Sequence, residues 1–173
     1  MIAYVGEKSI FDYLVELKIP VIYSNTISGA EKIIISEYSD QAVRLIREAL
    51  LVNIPVLGIL DGFQSIIKAF DGRCEEIDCS EGKQEWAVID TEAPIYKGLE
   101  TTIQICRGKP IAVLETVMPA ELDCIGRSSS GEIVSVSNLI APKNHGNIYG
   151  INYYIASDLT PDAEKIIQNF LNL

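Results

Sequence analysis

The chain has 173 residues with a formal net charge of −10, and 48% of them are hydrophobic. That length suits one domain with a sizeable core, so residues 1–173 are read as a single unit. The acidity excludes a phosphate-binding surface, because Lys and Arg are scattered singly rather than clustered, and no nucleic-acid partner is expected. Met1-Ile2-Ala3-Tyr4-Val5-Gly6 lacks a basic start and meets Glu7 too early for an export signal. No apolar run approaches the ~20 residues that span a bilayer. A cytoplasmic protein without membrane association is expected. Cys74, Cys79, Cys106 and Cys124 match neither a zinc knuckle nor a disulfide framework, and buried thiols are the reading. His145 is the only histidine, which argues further against a metal centre, and no cofactor is expected.

In chain order, Ile2–Val5 is a short apolar strand ending at Gly6. Ser9 reads as a helix N-cap with Asp12 three residues on, and Ile10, Leu14 and Leu17 share one face of the helix that follows. Residues 20–23 and Lys32–Ile35 read as the next strands. Ala42, Leu45, Ile46 and Ala49 recur at i, i+3, i+4 and i+7, a helix starting near Ser39 or Asp40. Residues 55–59 form another buried strand. Weakly alternating strands between amphipathic helices imply a parallel sheet covered on both faces.

The second half changes character. Residues 86–89, 102–106, 111–114, 123–127, 132–136 and 148–153 are short candidate strands between Gly-, Pro- and Ser-containing turns, an antiparallel or mixed pattern. Thr160 reads as the N-cap of a last helix with Pro161 at its first position, and Ala163, Ile166, Ile167, Phe170 and Leu171 supply its apolar stripe. The architecture implied is a three-layer α/β domain.

The turn after Ile59 carries the most information. A buried strand runs into Gly58-Ile59-Leu60-Asp61-Gly62-Phe63-Gln64, after which Phe63, Ile66, Ile67 and Phe70 mark a helix closed by Asp71-Gly72. Asp-Gly is also a hairpin signal, but the helical period favours a nucleophile elbow, which lifts one side chain above a sheet and aims helix amides at the reacting centre.

Pro55-Val56-Leu57-Gly58-Ile59-Leu60-Asp61-Gly62-Phe63-Gln64 resembles the Pro-x-x-Gly-Ile-Cys-x-Gly-x-Gln turn of class I glutamine amidotransferases. Ala93-Pro94-Ile95-Tyr96-Lys97-Gly98-Leu99, Tyr149-Gly150-Ile151-Asn152-Tyr153 and Ile167-Gln168-Asn169-Phe170-Leu171 resemble later landmarks of that family, in order. The similarity runs from Ile2 to Leu171 and is nearest the separate glutaminase subunit of GMP synthetase. It implies a flavodoxin-like fold, with a mostly parallel central sheet and an antiparallel or mixed portion in the second half.

The departures fall on the chemistry. The resemblance puts Leu60 where the family has its cysteine nucleophile, Tyr154 where it has histidine, and Ala156 where it has glutamate. The family's Ser-Gly-Gly-Pro oxyanion loop corresponds to Ser36-Glu37-Tyr38-Ser39, where two side chains replace the glycines and a carboxylate would repel an oxyanion. The family's substrate-holding Ser-His falls near Cys106-Arg107, while Gly58, Gly62 and Gln64 are retained. Loss of one triad member typically costs ~10⁴–10⁶ in rate, so ordinary glutamine hydrolysis is not expected.

Three readings follow. One is a catalytically degenerate relative that binds a synthetase or amidotransferase partner, or a small molecule in a remnant pocket lined by Gly58, Asp61, Gly62, Gln64 and Arg107. The second is an enzyme of altered chemistry, a hydrolase or transferase using a pocket group such as Asp61 in place of the missing cysteine. The third is a purely structural subunit of an oligomer. Asp61 also reads as a turn residue or N-cap, Cys106 as a buried thiol, Arg107 as an anion partner or a solvated side chain, and His145 as a surface-loop residue without a partner. With no catalysis to maintain, the turn at Leu60 is expected to relax and its side chain to fill the pocket.

Overall fold

The computed structural model describes residues 1–142 and 144–173. The first half alternates as read: β1 (Ile2–Val5), α1 (Lys8–Glu16), β2 (Val21–Tyr23), β3 (Lys32–Ile35), α2 (Asp40–Leu51), β4 (Val56–Ile59) and α3 (Asp61–Ala69). Then come β5 (Glu75–Glu76), β6 (Gln84–Ile89), β7 (Thr102–Arg107), β8 (Ile111–Ala112), β9 (Leu122–Ser128), β10 (Ile133–Ala141), β11 (Asn144–Ile151), β12 (Tyr153–Tyr154) and α4 (Ala163–Leu171). Among the described residues no helix is long and apolar enough to cross a membrane.

One ten-stranded sheet organises the chain, in the order β12-β7-β6-β9-β10-β11-β4-β3-β1-β2. From β2 to β11 every pairing is parallel, in the 2-1-3-4-5 order of a flavodoxin-like sheet once β11 is counted as its fifth strand. From β11 to β12 every pairing is antiparallel. β5 and β8 form a separate two-stranded pair. On one face α2 and α3 bury Ala42, Ile46, Ala49, Phe63, Ile66 and Ile67 against Ile33, Ile35 and Val56. On the other, α1 and α4 bury Ile10, Leu14, Ile166, Ile167 and Phe170 against Tyr4, Ile34, Leu57 and Tyr149. These are the three layers that the sequence implies.

Ser39 caps α2 as expected, its Oγ accepting from the Ala42 amide at 3.0 Å. Two other expected caps are placed differently. Glu7 stands at the N-cap of α1, and Ser9 lies inside the first turn, where Lys8 and Asp12 form the i, i+4 pair instead. Asp162 stands at the N-cap of α4, while Thr160 donates to the Tyr154 carbonyl at 2.6 Å and accepts from the Cys106 amide at 2.8 Å. That hydroxyl is spent on joining β12 to β7. At the end of α3 it is Asp71, not Gly72, that takes the left-handed conformation (φ 65°). Gly72 serves close packing, since a Cβ there would stand 2.8 Å from Pro119.

The tightest packing lies between α3 and the strands below it. A Cβ on Gly62 would stand 2.0 Å from the Ile35 carbonyl oxygen, and one on Gly58 would stand 2.4 Å from the Gly62 carbonyl oxygen. Both obstacles are backbone, which cannot rotate away. Gly62→Ala is therefore expected to destabilise the fold by about 3 kcal/mol or more, against ~1 kcal/mol for removing the α2 cap with Ser39→Ala. Urea midpoints of the two variants test that order; equal losses would mean that α3 can lift off the sheet.

Candidate functional site

The elbow is present and sharp. Leu60 sits between β4 and α3 at φ 57°, ψ −112°, a region that costs a non-glycine residue ~1–3 kcal/mol. Its amide donates to the Ile151 carbonyl at 2.9 Å, and its carbonyl accepts from the Phe63 amide at 2.9 Å. The expected relaxation has not occurred. Packing enforces the turn, because Gly58 and Gly62 hold α3 against β3 and β4 whatever side chain occupies position 60. The other half of the expectation stands: the Leu60 side chain is 2% exposed and joins the apolar cluster under α1 and α4.

Asp61 is the first residue of α3 rather than its cap, with its carboxylate in the first turn, where the helix dipole favours it. Its Oδ2 lies 4.0 Å from Lys109 Nζ, and both side chains are about two-thirds covered. Gln64 is half-buried on the same helix. Tyr154 donates its hydroxyl to Glu81 at 2.8 Å, and burial together with that carboxylate keeps the phenol protonated well above its usual range. Ala156 is exposed and borders a cleft of about 650 Å³ with Tyr13, Ser157, Asp158 and Glu164. Leu60, Asp61 and Gln64 do not line this cleft, and the Leu60 side chain is buried rather than presented to an opening.

The loop after β3 is pinned down. Ser36 is buried, accepts from the Glu7 amide at 3.0 Å and pairs with the Tyr4 hydroxyl. Glu37 accepts from Ser39 Oγ at 2.7 Å through its carboxylate, and from Ser65 Oγ at 2.7 Å through its carbonyl. Tyr38 projects outward, 50% exposed. The nearest opening is a cleft of about 440 Å³ past the ends of β1, β2 and β3, bordered by Tyr4, Gly6, Tyr23, Asn25, Glu37 and Gln41.

Arg107 departs most from its sequence reading. It is neither solvated nor presented to a cleft: its side chain is fully buried on β7, opposite Tyr153 of β12. Both terminal nitrogens lack hydrogen-bond partners, as does Oε1 of Glu85. The Glu132 carboxyl is held below its ordinary range: burial alone would raise it, but the Ser128 hydroxyl, its own amide and the Arg107 charge together prevail. Cys106 is buried, as read, and the four thiols are free. Burial raises the Cys74 thiol to about 12, which makes it a poor nucleophile.

Sequence reasoning missed His145. It lies in β11 rather than in a surface loop, with its side chain 8% exposed, Nδ1 2.6 Å from Ser137 Oγ and Nε2 3.3 Å from Asp90 Oδ2. The turn-like Asn144-His145-Gly146-Asn147 composition hid a strand that pairs with β10 in a hairpin whose register shifts on either side of Leu139.

Similarity to known proteins decides what this geometry descends from. The class-I glutamine amidotransferase family profile matches residues 7–173. The chain belongs to that family. Anthranilate synthase component 2 of Archaeoglobus fulgidus is 26% identical over 141 residues, covering 82% of this chain and 74% of that protein. The glutamine-hydrolysing GMP synthase of Thermosipho melanesiensis is 29% identical over 140 residues, covering 79% of this chain and 25% of that protein. The chain thus spans about a quarter of the length of the GMP synthases it matches. Among solved structures, a protein described as a GMP synthase subunit, from Thermoplasma acidophilum, superposes with a TM-score of 0.80 at 17% identity, covering 99% of this chain and 92% of that one. A PurLQS chain from Thermotoga maritima gives 0.73 at 18% identity, covering 99% and 97%. These structures bear out the expected fold.

Burying an unpaired guanidinium costs several kcal/mol, and its replacement by an apolar side chain of similar length recovers part of that. Arg107→Met is expected to leave stability unchanged or raise it by about 1–3 kcal/mol, read from urea midpoints at pH 7. A clear loss would show that Arg107 has a partner in solution. Glu132, whose folded carboxyl titrates below its ordinary value, contributes stability that is present above the ordinary carboxylate range and is lost as pH falls through the folded value. Glu132→Gln is expected to remove that component from the acid limb of a stability-versus-pH curve.

Proposed function

We propose that this protein is a non-hydrolysing member of its family, which keeps the glutaminase scaffold and works by associating with a synthase-type partner. The observation that carries the reading is Leu60: a residue without a nucleophilic atom occupies the strained elbow, with its side chain buried in the core. Tyr154 and Ala156 at the other two positions offer neither an imidazole nor a carboxylate. The loop that would receive an oxyanion carries Glu37 and Tyr38 and is folded onto Ser39 and Ser65. Each departure alone would slow thioester chemistry by orders of magnitude, and together they leave no route for it.

Association is supported by kinship and by surface. The relatives include a protein named as component 2 of anthranilate synthase, and others in which a similar segment is part of a larger GMP synthase. Trp86 and Val88 of β6 stand 54% and 61% exposed, on the strand face opposite buried Ala87 and Ile89. Large apolar side chains grouped on a sheet face suit burial by another chain. Asp61 does not favour the altered-chemistry reading: it is paired with Lys109, and both side chains are about two-thirds covered.

Glutamate release from glutamine by the purified chain tests the proposal, alone and with a candidate synthetase subunit, beginning with any encoded beside it. No turnover above the buffer rate is expected in either case, and Leu60→Cys alone should not create it. Turnover that disappears on changing Asp61 or Gln64 would overturn the reading. With Trp86→Ala, co-elution with a synthetase subunit that binds the parent chain should weaken at least tenfold, while the stability from urea unfolding stays within about 0.5 kcal/mol of the parent, as at other exposed positions.

A further inference from the structure

Far from the elbow, at the N-terminal edge of the parallel strands, three side chains from separate parts of the chain converge. Asp90 follows β6, Asp123 lies in β9 and His145 lies near the start of β11. One ligand atom from each lies within 4.8 Å of the other two. His145 is six residues before Ile151, the residue whose carbonyl holds Leu60, so the cluster and the elbow are roughly 20 Å apart along β11. We propose that Asp90, Asp123 and His145 form a binding site for a divalent first-row transition cation, Zn²⁺ being the reference ion. The proposal is independent of the reading given for the elbow.

The donor atoms are already oriented. Ser137 Oγ holds Nδ1 of the imidazole at 2.6 Å, which fixes the ring and turns Nε2 toward the two carboxylates. A histidine held at one nitrogen by an outer partner, with the other free, is the usual arrangement of a metal ligand. Nε2 itself makes no hydrogen bond among the described residues; Asp90 Oδ2 stands 3.3 Å away in ion-pair range. Asp90 Oδ1 accepts from the Glu92 amide at 2.9 Å, which leaves Oδ2 to face the imidazole. The Asp123 carboxylate has neither a hydrogen bond nor an ion pair among the described residues, although it is half-buried.

Charge and spacing point the same way. Two carboxylates this close repel each other, and no Lys or Arg among the described residues pairs with either. A neutral imidazole leaves the full double negative charge, and an imidazolium cancels half of it. A divalent ion cancels all of it. Zn–N and Zn–O distances of ~2.0–2.2 Å place donors about 3.3–3.6 Å apart around a tetrahedral ion, so each side chain needs to move by an ångström or less. One imidazole and two carboxylates suit zinc, cobalt, nickel, manganese or ferrous iron better than calcium or magnesium, which favour oxygen alone. The Asp90 side chain is 39% exposed, which gives an ion a path from solvent.

Because His145 is the only histidine, its ring signals in an NMR spectrum are unambiguous. Adding ZnCl₂ to the full chain under reducing conditions is expected to shift those signals, and titration calorimetry to show one ion per chain. Asp123→Asn and His145→Gln should each weaken Zn²⁺ binding at least tenfold while keeping the parent circular dichroism spectrum. An imidazole that Zn²⁺ leaves unmoved would overturn the site, leaving Asp90 and His145 as an ion pair only. Binding of undiminished strength in both variants would overturn it too, by moving the ion to the cysteines. Should either variant fail to fold, cobalt(II) added to the parent chain decides: an absorption band of nitrogen and oxygen ligation upholds the site, and a thiolate charge-transfer band sinks it.

Discussion

The contact on which the rest of the molecule depends is that of the α3 N-terminus with the strands beneath it. With no side chain at Gly58 or Gly62, the first turn of α3 lies directly on the carbonyls of β3 and on the backbone of β4. That approach fixes the course of the chain over three residues and drives Leu60 into φ 57°. Phe63, Ile66 and Ile67 then reach the core fully buried, each worth roughly 1.5–3 kcal/mol relative to exposure, which exceeds the ~1–3 kcal/mol of strain at Leu60. The strain is therefore a by-product of docking the helix. It does not depend on which side chain occupies position 60, because relaxing the turn would unseat three core side chains.

The same arithmetic explains what has filled the site. A leucine whose backbone is pinned above the sheet points toward the α1 and α4 layer, where Ile155 and Ile10 already form an apolar surface. Burying it there gains hydrophobic free energy that a thiolate would forfeit. Polar groups nearby have found partners among themselves: Tyr154 with Glu81, Asp61 with Lys109, Glu37 with Ser39. The terminal nitrogens of Arg107 have not, nor has Oε1 of Glu85, and the burial of Arg107 on β7 is costly.

How much of this the sequence revealed depends on the range of the interaction. The parallel half was legible because each strand and helix announces itself within a dozen residues; Ala42, Leu45, Ile46 and Ala49 mark their helix without outside help. The elbow was legible through its two glycines and the helical period after them. The capping sites at Ser9 and Thr160 were misread because local chemistry permits a cap while a distant strand claims the hydroxyl or shifts the boundary, as Cys106 and Tyr154 do with Thr160. The long β10–β11 hairpin was missed for a related reason. Its register shifts near Leu139, where the Asn138 side chain accepts from the Ile148 amide and packs against Gly146, so no period-two pattern survives in the sequence. His145 and Arg107 could not be placed from sequence at all, since their surroundings come from strands far along the chain.

The two notable regions of the molecule lie at opposite ends of one strand, which bears on whether they influence each other. β11 begins beside Asp90 and Ser137 and ends where Ile151 accepts the Leu60 amide. Coupling between such sites needs an element with two arrangements that both can bias. From Ile148 to Ile151 the strand is fully buried, bonded in parallel to β4 on one side and antiparallel to β10 on the other. A strand so held has one arrangement available, because sliding it by a single residue would turn each side chain to the wrong face. Occupation of the Asp90–Asp123–His145 cluster would thus stabilise the hairpin that carries it without altering the elbow. The elbow in turn owes its shape to α3 and not to anything at the far edge of the sheet, so each region is free to have changed its chemistry without the other.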